Sequence, residues 1–110
     1  MFQPPTPSVA VTGLPADGYL LDVREDDEWR AGHAPEAVHL PLSELVARVG
    51  EVPEDRDVYV ICKVGGRSEQ AVRYLNQLGR TTVNVSGGML AWEAAGKPMV
   101  SEANGRPFVA

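Results

Sequence analysis

The run Val58-Tyr59-Val60-Ile61 passes directly into Cys62-Lys63-Val64-Gly65-Gly66-Arg67-Ser68, after which apolar residues recur at helical spacing. Four apolar residues closed by a glycine turn read as a buried strand, and Ala71, Val72, Leu75 and Leu78 mark one face of a helix that Gly79 stops. A strand that turns at once into a helix points to a parallel sheet with helical crossovers. The same alternation runs through the whole chain.

Val9-Ala10-Val11 reads as a short edge strand, and residues 13–18, with Pro15, Asp17 and Gly18, as turn material. Tyr19-Leu20-Leu21-Asp22-Val23 is apolar enough to be a strand buried on both faces. Glu25-Asp26-Asp27-Glu28 then opens a brief helix, because acids at a helix start complement its dipole, and Gly32 ends it. Val38-His39-Leu40 is a short strand closed by Pro41. Leu42, Leu45, Val46 and Val49 form the stripe of an amphipathic helix, with Gly50 placed as a left-handed cap. Thr82-Val83-Asn84-Val85 is a further strand, and Ser86-Gly87-Gly88 leads into a last helix carrying Met89, Leu90 and Trp92.

This order predicts an α/β fold in which right-handed crossovers place helices on both faces of a mostly parallel sheet. Ligands in such sheets bind beyond the carboxyl ends of the strands. Three loops leave strand ends toward helices: residues 22–24, 62–67 and 86–88. Parallel strands would bring all three to one edge. At 110 residues the chain is expected to form a single domain with a core at about residues 8–100, a proline-rich extension over residues 1–7 and a tail over 101–110.

The turn after Ile61 carries the chemistry. Gly65 and Gly66 allow the backbone to converge several N–H groups on one point, and the following helix adds its own unpaired N–H groups. Lys63 and Arg67 add positive charge. The first anion available to such a cradle is the Cys62 thiolate, whose pKa this setting depresses. Cys62 is therefore the candidate nucleophile, with Lys63, Val64, Gly65, Gly66, Arg67 and Ser68 forming its anion-binding loop. Arg67 suits either an oxyanion or a carboxylate that pins the loop. Lys63 would attract an anionic substrate, and Ser68 reads as a helix N-cap. Asp22 and Arg24 reach the same edge as an ion pair that braces the loops. His33 tempts assignment as a general base, but a preformed thiolate needs none. His39 reads as a satisfied core histidine, and Trp29 and Trp92 as core aromatics.

Charge and composition exclude other classes. The net charge is −5 with no basic run, which argues against nucleic acid, and no apolar stretch approaches the ~20 residues of a bilayer span. With one cysteine there is no internal disulfide and no resolving thiol, so the cytoplasm is the expected compartment. The two histidines stand six apart without a second cysteine, so no zinc site is visible.

Cys62-x-x-x-x-Arg67-Ser68 resembles the active-site loop of the rhodanese family of sulfurtransferases. The likeness extends to Leu21-Asp22-Val23-Arg24, Glu28-Trp29, Gly32-His33, Val38-His39-Leu40-Pro41 and Gly87-Gly88-Met89-Leu90-Ala91-Trp92. The resemblance implies a rhodanese-like three-layer fold of about five strands. It also implies transfer of sulfur through a Cys62 persulfide from an anionic donor such as thiosulfate to cyanide, a thiol or a protein acceptor, without a cofactor. The chain departs from the family pattern at Ala34 and Glu36, after Gly-His, and at Lys63, where thiosulfate-using members often have arginine. A sulfur-carrier or protein-interaction module is the alternative. A cysteine-dependent phosphatase or arsenate reductase is a third reading, but its usual loop has five residues between cysteine and arginine, where this chain has four.

Overall fold

The computed structural model describes residues 6–110, so most of the proline-rich start, residues 1–5, lies outside the described residues. Five strands, β1 (Ser8–Ala10), β2 (Tyr19–Asp22), β3 (Val38–His39), β4 (Val58–Ile61) and β5 (Thr82–Ser86), form one sheet in the order β1-β5-β4-β2-β3. Every pairing is parallel. Of three helices, α1 (Asp26–Ala31) crosses from β2 to β3, α2 (Gly66–Gln77) crosses from β4 to β5, and α3 (Gly88–Ala94) follows β5. Helices lie on both faces, as the alternation predicts, and the fold is α/β with a three-layer rhodanese-like arrangement.

The pleat sorts the core into two layers. Val58, Val60 and Cys62 point to one face with Leu21 and Val23, where they meet Ala71, Val72 and Leu75 of α2. Tyr59 and Ile61 point to the other face with Leu20 and Val85, against Met89 and Trp92 of α3. Trp92 donates its indole N–H to Pro98 O at 2.9 Å, so this buried aromatic leaves no orphan donor. Leu78 does not join the α2 face: it is the C-cap residue and is exposed.

The largest correction falls on residues 42–50. There is no amphipathic helix there, only 3₁₀ turns at Leu42–Glu44 and Val49–Glu51, and Gly50 does not take a positive φ. The segment is short, starts after Pro41 without a side-chain cap and contains two valines, so nothing offsets helix nucleation. Burial overrides periodicity: Leu45 and Val52 fill the α2-side core while Val46 stands in solvent.

The residues after Val100, expected as a tail, lie back on the fold. His33 and Val100 exchange two backbone hydrogen bonds of 2.9 Å, Glu102 N–H donates to Arg30 O, and Phe108 N–H donates to Ala31 O. His33 is fixed accordingly: its ring stacks on Trp29 at 3.5 Å, and its nitrogens meet Ala34 O and the Glu102 carboxylate. His39 stacks on the opposite side of Trp29 and donates from Nε2 to Arg24 O. Both histidines are architectural, and Trp29 is half-buried between them rather than deep in the core.

Candidate active site

The parallel sheet sets the carboxyl ends of β2, β4 and β5 side by side, so the loops after Asp22, Ile61 and Ser86 share one edge. Cys62 follows β4 with 1% of its surface exposed, and its sulfur faces inward against the start of α2. Gly65 takes a left-handed conformation, φ 116°, and this turns its N–H onto Cys62 Sγ at 3.1 Å. Such a backbone fits glycine and strains residues with a Cβ.

The carbonyls of the loop must then point elsewhere, and α3 receives them. Met89 N–H donates to Cys62 O at 2.8 Å and Leu90 N–H to Lys63 O at 3.1 Å. These are helix-start donors with no partner inside α3, so the contact satisfies both sides. Gly88 makes the approach possible: a Cβ there would lie 2.5 Å from each of those carbonyl oxygens. The final Gly-Gly turn therefore shapes the cysteine loop from behind.

The sulfur's protonation follows from its surroundings. Burial pushes the Cys62 thiol up, while the Ser68 hydroxyl and the N–H groups of Ser68, Gly65 and Val64 pull it down, and the net shift is below the ordinary thiol value. The loop thus favours a thiolate. Ser68 is not the N-cap, a place Gly65 takes; it sits in the first turn of α2, fully buried, with Oγ 3.3 Å from Cys62 Sγ. The early left-handed turn at Gly65 starts the helix sooner than the serine suggests, which brings the hydroxyl to the sulfur.

Arg67 answers its own ambiguity. Nη1 and Nη2 donate to the two oxygens of Glu28 at 2.6 and 2.7 Å, a bidentate pair between α2 and α1. The fork is engaged by a carboxylate, though the Cys62 charge still adds to the interactions that raise the Arg67 pKa. Glu28 in turn has its pKa lowered, first by the Arg67 hydrogen bond. It also accepts from Glu25 N–H in a capping box. Behind this pair, fully buried Arg24 donates from Nη2 to Asp22 at 2.8 Å and to Gly32 O at 2.8 Å, tying β2 to the end of α1. Asp22 and Arg24 are thus joined as a buried ion pair at this edge.

Lys63 is half-buried in the loop, and among the described residues it forms no ion pair. Val64 is exposed at the loop tip, and Leu90 is exposed on α3 next to it in the hydrogen-bonded pair with Lys63. Gly66 opens α2 at the surface.

Two residues at the site escape the sequence reading. Glu28 was legible as one of four acids at a helix start and, with Trp29, as part of the family likeness, but its reach across to Arg67 depends on tertiary structure. Asn84 lies on β5 facing α2 with 5% exposure, and its Oδ1 accepts from Ser68 Oγ at 2.5 Å. The signal was present: a polar residue between valines in a buried strand needs a partner.

The chain is similar to known proteins in sequence and in fold. The family model described as Rhodanese-like domain matches residues 7–95. A sulfurtransferase of Allochromatium vinosum is 42% identical over 86 residues, covering 77% of this chain and 80% of that protein. Among solved structures, a rhodanese-related protein of Thermoplasma volcanium superposes with a TM-score of 0.81 at 35% identity, over 86% of this chain and 97% of that one. A thiosulfate sulfurtransferase of Pseudomonas aeruginosa gives a TM-score of 0.75 at 30% identity, over 89% of this chain but 21% of that longer one.

Proposed function

The chain belongs to the rhodanese-like domain family of sulfurtransferases, and from that premise we propose that it moves a sulfane sulfur from thiosulfate, or a related anionic donor, to a thiophilic acceptor through a Cys62 persulfide. The observation that carries this reading is the buried Cys62 sulfur at the carboxyl end of β4, with the Gly65 N–H at 3.1 Å and the Ser68 hydroxyl at 3.3 Å. The thiolate attacks the outer sulfur of thiosulfate, the sulfur–sulfur bond of the donor breaks, and sulfite leaves with the electron pair. Cyanide, a small thiol or a protein thiol then attacks the terminal sulfur and releases the thiolate. The loop N–H groups from Lys63 to Ser68 stabilise the charged sulfur species, the logic of an oxyanion hole applied to sulfur. Lys63 draws in the anion. Arg67, held by Glu28, braces the loop and contributes charge rather than a free fork.

Intact mass after incubation with thiosulfate tests the proposal. The protein should gain one sulfur atom, the gain should vanish on adding cyanide, and prior alkylation of Cys62 should prevent it. No mass gain from any sulfane donor would sink it.

A second reading, a protein-facing carrier with little turnover on small molecules, is favoured by the exposed Val64 and Leu90 at the loop, an apolar rim that a small anion does not use. It predicts that a persulfidated Cys62 forms but discharges slowly to cyanide. Phosphate chemistry is disfavoured on two counts. The loop has four intervening residues, and the arginine such chemistry aims at phosphate is bound to Glu28.

The cations divide the work unequally. Arg67→Ala and Glu28→Ala each break the same pair, so each should slow transfer by roughly tenfold, and the double variant should be little worse than either. Lys63→Ala should chiefly raise KM, with an effect that shrinks as salt rises. Additive losses at Arg67 and Glu28 would show that the pair is not a unit. Because the Glu28 pKa is lowered on folding, its stabilisation is present above the ordinary carboxylate range and fades as pH falls through the depressed value.

A further inference from the structure

The contacts behind Cys62 hold fewer protons than the acceptors around them require. Ser68 Oγ lies 3.3 Å from Cys62 Sγ, 3.1 Å from Gly65 O and 2.5 Å from Asn84 Oδ1. A serine hydroxyl has one proton to give. While Cys62 is a thiol the count closes: S–H donates to Ser68 Oγ, and Ser68 donates to the Asn84 carbonyl. When Cys62 is a thiolate, the sulfur and Asn84 Oδ1 compete for the same hydroxyl proton. If that proton turns to sulfur, Ser68 Oγ and Asn84 Oδ1 face each other with no hydrogen between them.

A half-turn of the Asn84 amide removes the conflict. Nδ2 then donates to Ser68 Oγ, and Ser68 donates to the thiolate. The turn gives up the contact of Nδ2 with Gly65 O, long at 3.4 Å, and leaves Oδ1 facing that carbonyl across a similar gap, a weaker conflict than the 2.5 Å one with Ser68 Oγ that it removes. Asn84 is nearly enclosed, and its backbone N–H is held by Pro7 O, so the amide can turn without moving the strand.

We propose that Asn84 is a positioning residue for the sulfur-transfer reaction, whose amide turns with the charge on the Cys62 sulfur and aims the Ser68 proton. It is a donor while Cys62 is a thiolate, at the start of the first step and at the end of the second. It is an acceptor while the Cys62 sulfur is neutral, as a thiol or as the inner atom of the persulfide. The arrangement stabilises Cys62 both as nucleophile and as leaving group. The inference rests on the persulfide reading for its place in the reaction, but its test reads the thiolate alone, so the two can fail separately. The charged groups near the sulfur, Arg67 and Lys63, are untouched in every variant below.

Alkylation of Cys62 against pH in the parent, Asn84→Ala, Ser68→Ala and the double variant gives the first measurement. Asn84→Ala should raise the midpoint by about one unit, so that alkylation below the midpoint slows about tenfold. In the Ser68→Ala background the same Asn84 change should have no further effect, because Asn84 acts only through the hydroxyl. A full additional shift in the double variant would make Asn84 a packing residue and overturn the proposal. The second measurement needs no change at Asn84: the NMR signals of its side-chain amide in the parent protein should titrate with the Cys62 midpoint, and Ser68→Ala should abolish that titration. Signals that stay flat through the midpoint, or that titrate equally without the Ser68 hydroxyl, would also overturn it.

Discussion

Cys62→Ser should abolish sulfur transfer, by about a thousandfold or more, while leaving a folded protein. The loss is chemical. An alcohol in this loop stays protonated, because its pKa lies far above any shift the surrounding donors supply, and its oxygen cannot accept the sulfane sulfur. The fold survives because the change is nearly isosteric and the Gly65 N–H and Ser68 hydroxyl still meet a hydrogen-bonding atom. Stability should nevertheless reveal the thiolate. The folded pKa of Cys62 lies below its unfolded value, so its ionisation stabilises the fold fully above the unfolded value of about 8.5. That contribution is lost as pH falls through the folded value. Serine does not titrate in this range. Urea midpoints of the parent should therefore rise relative to Cys62→Ser as pH increases toward about 8.5 and then run parallel. A difference that stays constant across that window would mean the loop does not favour the thiolate.

The residues that act through the backbone were the ones the sequence exposed most clearly. A short apolar run, a glycine pair and a helical stripe after Cys62 imply strand, turn and helix with little freedom, although α2 begins at Gly66, ahead of the cap that Ser68 suggests. The shared edge of the three loops followed from the parallel order alone. What stayed hidden depends on contacts between distant segments. Periodicity could not tell a helix at residues 42–50 from turns pinned by Leu45 and Val52, since both bury a similar set of apolar residues. It could not say whether the Arg67 fork faces a substrate or Glu28, because α1 and α2 meet only in the folded chain. The same holds for Asn84, whose partner Ser68 lies sixteen residues earlier in sequence, and for the residues after Val100, whose backbone bonds go to α1.

Gly88 is where that tertiary dependence should cost most, and a series of three glycine-to-alanine changes separates its causes. Gly50 is not in a positive-φ conformation, and a Cβ there meets nothing within 4 Å. Gly50→Ala should be neutral or stabilise by up to about 1 kcal/mol, through the entropy of the unfolded chain. Gly79 also faces open space, but its φ is 90°. Gly79→Ala should therefore cost about 1–2 kcal/mol from backbone strain alone. Gly88 combines a φ of 57° with a Cβ position 2.5 Å from Cys62 O and Lys63 O and 2.6 Å from Lys63 C. These are backbone atoms that cannot rotate aside. Relief requires α3 to withdraw from the loop, which breaks the Met89 and Leu90 hydrogen bonds to those carbonyls. Two disrupted hydrogen bonds at about 1 kcal/mol or more each, added to the strain, give roughly 3–6 kcal/mol. That is a large share of the ~5–15 kcal/mol that holds a domain of this kind together. Gly88→Ala should lower the urea midpoint far more than Gly79→Ala, and whatever remains folded should lose the depressed thiol pKa, because the carbonyls released by α3 are free to rotate the loop N–H groups off the sulfur. If Gly88→Ala matched Gly79→Ala in stability and alkylated Cys62 with the parent's pH profile, the loop would be shaped by its own glycines and not by α3.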